Sequence, residues 1–255
     1  MRRSSWPPCG DSGVPGARPP SPRPAERSAG PPLFSGEGGD GSSRSMAART
    51  RRIYDRLAAV YPLPALLFHS RAHCCALEMA GIRDGMRVLE VATGSGEMFR
   101  RLVRANPAGW TVGVDLSPRM AARTHRQIRR GFPGVRAYCQ AVDARWMPFR
   151  DESFDAVICC YLLELLAPED ILRALGEMRR VLRLRGALTL VAIGEDGRGF
   201  DRLYRLAGQL APAFWGRPVS RQLPELLHAA RLRLIGERSV RQAFYPSRVL
   251  LAARA

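Results

Sequence analysis

The stretch Met86-Arg-Val-Leu-Glu-Val-Ala-Thr-Gly-Ser-Gly-Glu97 constrains the fold more than any other part of this chain. An apolar run, Val88, Leu89 and Val91, is broken only by Glu90, then turns through Gly94 and Gly96. Beyond the turn Met98, Phe99, Leu102 and Val103 recur at helical spacing. Strand, glycine turn and helix in that order form the opening βα unit of a nucleotide-binding α/β fold. The glycines let the backbone turn tightly and approach a ligand with no side chain in the way. Glu90 is a carboxylate in an otherwise apolar strand; burying it uncompensated is costly, so it is expected near the strand's end, facing a cation or hydrogen-bond donors.

The ligand class follows from what comes after the turn. A dinucleotide site requires Gly-x-Gly-x-x-Gly, with the pyrophosphate on the helix N-terminus. Counted from Gly94, the third glycine position holds Phe99, and Glu97 at the start of the helix would repel a phosphate. An adenosine-bearing ligand with a cationic centre and no phosphate fits better, and S-adenosyl-L-methionine is such a ligand. Further on, Trp110-Thr-Val-Gly-Val-Asp115 reads as a second strand ending in an acid able to accept both ribose hydroxyls of an adenosine. Ser117 and Pro118 then open a helix, as N-cap and first-turn residue.

These residues resemble class I S-adenosylmethionine-dependent methyltransferases. Val88-Leu-Glu-Val-Ala-Thr-Gly-Ser-Gly96 is similar to their motif I, and the Ala-Thr-Gly-Ser-Gly-Glu portion is closest to the ubiquinone/menaquinone C-methyltransferase-like branch. Ala92 departs from the usual acidic-x-Gly-x-Gly-x-Gly pattern at its first glycine. Val142-Asp-Ala144 and Met147-Pro-Phe-Arg-Asp-Glu-Ser-Phe-Asp-Ala-Val157 resemble the family's Asp-Ala step and its Leu-Pro-Phe-x-Asp-x-Ser-Phe-Asp segment. Arg180-Val-Leu-Arg-Leu-Arg-Gly186 resembles the Arg-Val-Leu-Lys-Pro-Gly-Gly turn, with Leu184 and Arg185 in place of Pro and the first Gly. The resemblance implies a cofactor loop of Ala92, Thr93, Gly94, Ser95 and Gly96, with Glu90 before it. It places Asp115 on the ribose, Leu116 beside the adenine, Asp143 on the adenine exocyclic amine and Ala144 as a backbone contact. No catalytic base and no metal site are implied.

The rest of the chain fills in this frame. Val135–Cys139 reads as a third strand. Phe154–Tyr161 reads as a strand buried on both faces. Its end should lie across from motif I, which makes Tyr161 and Glu164 candidates to border the methyl-transfer site. Pro168–Leu182 reads as an amphipathic helix with Ile171, Leu172, Leu175, Met178, Val181 and Leu182 on one face. A strand over Ala187–Ile193 follows, and the segments Leu232–Val240 and Arg248–Ala253 read as a final antiparallel pair. The expected architecture is a Rossmann-like, doubly wound α/β fold with a seven-stranded, mostly parallel sheet. Helices cover both faces.

Residues 1–45, dominated by Pro, Gly and Ser, cannot bury enough apolar surface to offset their ordering entropy and are expected to be disordered, with Met46 the expected native start. Residues 46–255 are the expected catalytic domain, with a helical cover over 47–80 and a substrate-side insertion over 194–230. His69 and His73 lie four residues apart on the cover, read as two partly exposed histidines. The six cysteines form no Cys-x-x-Cys pair, which suits free thiols in a reducing, cytoplasmic compartment. All 40 basic residues are arginine and the net charge is +17, spread along the chain. That charge permits peripheral contact with an anionic membrane but gives no reason to expect a specific nucleic-acid partner.

The expected activity is methyl transfer to a small-molecule or lipid-like acceptor, most specifically C-methylation of a quinone precursor. Amine or phospholipid N-methylation and a non-catalytic binding subunit are the alternatives. The oligomeric state is not legible.

Overall fold

A computed structural model describes residues 70–194, 219–242 and 246–254. Seven strands form one sheet: β1 (Arg87–Val91), β2 (Trp110–Asp115), β3 (Arg136–Ala141), β4 (Phe154–Cys160), β5 (Leu182–Ile193), β6 (Leu232–Val240) and β7 (Ser247–Arg254), in the order β3-β2-β1-β4-β5-β7-β6. The first five run parallel; β7 is antiparallel to both β5 and β6. The strand order reverses between β1 and β4, and in open α/β sheets a ligand crevice forms beyond the carboxyl ends of the strands at that reversal.

Five helices are described: α1 (Ser70–Ala80), α2 (Glu97–Ala105), α3 (Pro118–Gly131), α4 (Pro168–Val181) and α5 (Leu223–Ala229). Strand residues alternate between the two faces, and so does the core. Val88, Ile158, Val191 and Val249 pack with Ala72 and Ala76 of α1 and Met98 and Leu102 of α2. Leu89, Val157, Cys159 and Leu190 pack on the other face with Ile171, Leu175 and Met178 of α4 and Leu227 of α5. Phe99, at the position where a dinucleotide motif has its third glycine, is fully buried with Val103, Ala121, Ile128, Ala137 and Cys139 between α2, α3 and β3. A large apolar side chain there fills the helix–sheet interface that a glycine would narrow.

Local signals are realised closely. Ser117 caps α3, its side chain accepting from the Met120 N–H at 3.2 Å, with Pro118 as the first helical residue. Cys139, Cys159 and Cys160 are buried free thiols in strands. Three readings need correction. His73 is 4% exposed rather than partly exposed, its ring 6.2 Å from that of Tyr161. Leu172 is 42% exposed, one step off the apolar stripe of α4. The turn expected at Leu184–Gly186 lies inside β5, which begins at Leu182 directly after α4. Phe154 pairs with Leu182 and Ala156 with Ala187, so the extra residues of β5 bulge out, with Arg185 at φ +63°. The tail over 1–45, the cover before Ser70, with His69, and most of the 194–230 segment lie outside the described residues.

Candidate functional site

The turn after β1 is built by three left-handed residues. Ala92 has φ +64°, Gly94 φ +49° and Gly96 φ +81°. Ala92 and Thr93 donate their N–H groups to the carbonyl of Val114 at 2.8 and 3.1 Å, which holds the loop over the end of β2. A side chain at Gly94 would meet nothing within 4 Å among the described residues, so they leave the loop open on that side. At Gly96 a Cβ would lie 2.8 Å from Thr124 Oγ1, so that glycine lets α2 seat against α3. One glycine thus meets no described neighbour and the other is a packing residue. Ser95 is half-buried between them.

Glu90 is 1% exposed, and its Oε2 has no hydrogen-bond partner among the described residues. Burial, and then the neighbouring charge of Asp115, push its carboxyl well above the ordinary carboxylate range. Such a group calls for a cation or donor beyond the described residues, because leaving a buried carboxylate unsatisfied is costly. Asp115, 8% exposed at the end of β2, accepts the Gly94 N–H on Oδ2 at 2.7 Å and the Ser117 N–H on Oδ1 at 2.9 Å. It fastens the glycine turn to the start of α3. Leu116 follows, half-buried.

Asp143 lies two residues beyond β3, with Ala144 half-buried beside it. Its carboxylate is gripped by Arg145, through Nη2 at 2.7 Å and Nε at 3.0 Å, and accepts the Arg145 N–H at 2.9 Å. Burial raises the Asp143 carboxyl, but the bonds from Arg145 outweigh it and the net shift is downward. Arg145 also bonds Asp170 Oδ2 in the first turn of α4 at 2.9 Å, so one buried guanidinium joins the end of β3 to a helix on the other side of the crevice. Sequence reasoning missed Arg145. The Asp143-Ala-Arg145 spacing could have flagged the near half of the fork, whereas Asp170 is 25 residues away.

Tyr161 and Glu164 both fall at the carboxyl end of β4. Tyr161, at φ +55°, pairs its hydroxyl with Ser247 Oγ at 2.8 Å and accepts from Gln242 Nε2 at 3.3 Å. Gln242 in turn accepts the Ala72 N–H of α1 at 3.3 Å. Burial raises the Tyr161 phenol above its ordinary range. Glu164 is 3% exposed; its Oε1 accepts the Ile193 N–H at 2.7 Å and its Oε2 has no partner among the described residues. Burial pushes the Glu164 carboxyl up to about 7, with the Ile193 N–H acting the other way. By contrast Asp151 and Asp155 are structural: Asp151 pairs with Arg180, and Asp155 pairs with Arg183 while accepting the Arg87 N–H at 2.7 Å. Among the described residues no group of three or more His, Cys, Asp or Glu could hold a metal ion.

The glycine turn, the acid within β1, the acid ending β2 and the acid beyond β3 thus stand together at one end of the sheet, beside the reversal in strand order. They define the class of an adenosine-cofactor α/β enzyme. Comparison with known proteins takes this further. The Methyltransferase domain family matches residues 88–186. A demethylmenaquinone methyltransferase of Thermus thermophilus is 33% identical over 161 residues, which are 60% of this chain and 71% of that protein. A ubiquinone/menaquinone biosynthesis C-methyltransferase of Cellvibrio japonicus is 31% identical over 153 residues, 57% of this chain and 59% of that protein. The chain therefore spans about three fifths of the length of the latter relative. The fold is shared with the [4+2]-cyclase SpnF, at a TM-score of 0.68 and 19% identity over 82% of this chain and 96% of that one. The chain belongs to the S-adenosylmethionine-dependent methyltransferases, and it is an enzyme of that family.

Proposed function

We propose that this methyltransferase transfers a methyl group to carbon on a small, lipid-like aromatic acceptor of the quinone-precursor kind. The observation that carries the cofactor end of this reading is the set Glu90, Asp115 and Asp143 around the turn Ala92–Gly96, with Glu90 buried and one of its oxygens without a partner among the described residues. When bound, S-adenosylmethionine supplies a methyl on a cationic sulfonium, already activated for displacement. The protein's part is to align donor and acceptor and exclude water.

In this reading the Glu90 carboxylate faces the positively charged amino-acid end of the cofactor. Asp115 accepts from the ribose hydroxyls while holding Gly94. Asp143 and Ala144 meet the adenine, with Leu116 against its face. The backbone of Thr93, Gly94 and Ser95 lies along the ligand, Ala92 and Gly96 shaping the turn. The similarity to quinone-pathway C-methyltransferases supports carbon as the acceptor atom. A carbon acceptor must lose a proton as the new bond forms, which a tertiary amine need not. Glu164, buried at the end of β4 with a carboxyl that titrates at about 7, suits that task.

Calorimetric titration of the full chain with S-adenosylmethionine and, separately, with NADH tests the cofactor site. Micromolar binding of the first and none of the second is expected. Turnover is then measured with a short-chain demethylmenaquinol and with amine acceptors. Methylation of the amines alone would overturn the carbon-acceptor reading and leave the cofactor site standing.

A further inference from the structure

The opposite end of the sheet, one strand length of about 16 Å from the cofactor turn, carries a second concavity. It is an open pocket of about 560 Å³ between the loop before β1, the start of β4 and the bulge of β5, lined by Arg83, Asp84, Gly85, Asp155, Arg183 and Arg185 among others. Its acids have assigned work within the fold. Asp84 Oδ1 accepts the N–H groups of Gly85 at 2.9 Å and Ala108 at 2.7 Å, and Asp155 is paired with Arg183. Arg83 and Arg185 are exposed, and neither guanidinium has a hydrogen bond or ion pair among the described residues.

The bulge that presents Arg185 is not a relaxed turn. Arg185 sits at φ +63°, a conformation that side chains other than glycine rarely adopt. Leu184 beside it is 61% exposed. Strain at a non-glycine residue persists where the surroundings enforce it, and such outliers concentrate at ligand clamps. Here the strained residue is a cation on the rim of a pocket in which Arg183 offsets Asp155, leaving Arg83 and Arg185 as two positive charges against the single carboxylate of Asp84.

We propose that this pocket binds a phosphate-bearing anion between the guanidiniums of Arg83 and Arg185, distinct from the cofactor and the methyl acceptor. Planar guanidiniums match phosphate oxygens in pairs of charge-assisted hydrogen bonds. The phosphate belongs either to a membrane-lipid headgroup, with Leu184 entering the interface beside it, or to a free phosphorylated compound.

The test uses the full chain with two probes: inorganic pyrophosphate, and phosphatidylcholine vesicles with or without phosphatidylglycerol. The pocket variant is Arg83→Gln with Arg185→Gly, whose glycine suits the left-handed backbone and so favours folding. The control is Arg126→Gln with Arg130→Gln on the exposed side of α3, which removes the same charge elsewhere. The pocket variant is expected to bind pyrophosphate about tenfold more weakly and anionic vesicles about 30-fold more weakly, with the control close to the parent. Loss of vesicle but not pyrophosphate binding in Leu184→Ser supports the site with a headgroup as its ligand; no effect of that change supports it with a free phosphate compound. Equal weakening by pocket and control variants, or by neither, would overturn the proposal and assign the attraction to the overall charge of the chain.

Discussion

The Asp115 carboxylate accepts the backbone N–H of Gly94 at 2.7 Å, tying the end of β2 to the turn that follows β1. A residue expected to serve a ligand therefore also serves the fold, and substitutions there have two effects that must be read apart.

Asp115→Asn keeps one strong acceptor where the carboxylate had two oxygens on two backbone donors, Gly94 and Ser117. Unfolding free energy should fall by about 1–3 kcal/mol. Affinity for S-adenosylmethionine should fall at least about tenfold, from the loss of charge-assisted bonds. Denaturant unfolding and calorimetry on the same preparation separate the two. A stability loss with unchanged affinity would leave Asp115 as a turn fastener only.

Glu90→Gln should weaken binding without the loss of stability. The buried carboxyl is raised well above its ordinary value by desolvation and then by Asp115, so the folded protein holds its proton to higher pH than the unfolded chain. Its ionisation costs stability as pH rises past the ordinary carboxylate range. The neutral amide removes that cost, so the ligand-free variant should be at least as stable as the parent at pH 8 while binding the cofactor about tenfold more weakly. Melting curves without cofactor, then a binding titration, check both halves.

Ala92→Gly should stabilise the fold. Ala92 lies at φ +64°, where a side chain crowds the following carbonyl at a cost of about 1–2 kcal/mol. The extra freedom of glycine in the unfolded chain offsets part of the gain, leaving about 0.5–1 kcal/mol. An unfolding midpoint that fails to rise would mean that the methyl of Ala92 contributes packing that offsets the strain.

Glu164→Gln separates a structural from a chemical role. Its carboxyl titrates at about 7 in the folded protein against an ordinary 4.5. Because the folded pKa is the higher one, protonation favours the native state, and this contribution is lost as pH climbs from about 4.5 to about 7. By linkage the difference is on the order of 3 kcal/mol. The glutamine variant should show a correspondingly flatter fall in stability over that window. If Glu164 also takes the acceptor's proton, turnover should drop about 100-fold or more with cofactor affinity unchanged; a change confined to stability would make it only a staple on Ile193.

What could be read from the residues in order was local. Ser117 and Pro118 announce the start of α3 within three residues, and the glycine turn with its acids follows the strand-end rule of parallel α/β sheets. What escaped was set by partners far away in the chain. The bond from Arg145 to Asp170 exists only once β3 and α4 have been brought together. The burial of His73 depends on Tyr161 arriving from β4. Leu172 lies on the helix it was expected to occupy, but its neighbours on α4 fill the core first. The bulge of β5 is likewise a matter of pairing with β4, where register leaves Leu184 and Arg185 with nowhere to sit but outward.

The place of β7 has a consequence for biosynthesis. Among the described strands β6 pairs only with β7, and β7 lies between it and β5. As the polypeptide leaves the ribosome, β6 emerges before the strand through which it joins the sheet. Until β7 follows, the apolar flank of β5 from Leu188 to Ile193 is an open edge that another nascent chain can pair with. The vulnerable interval for this enzyme thus runs from the emergence of β5 to that of β7, when a stalled or slowed ribosome would leave that edge uncovered longest, and chaperone demand should be greatest there.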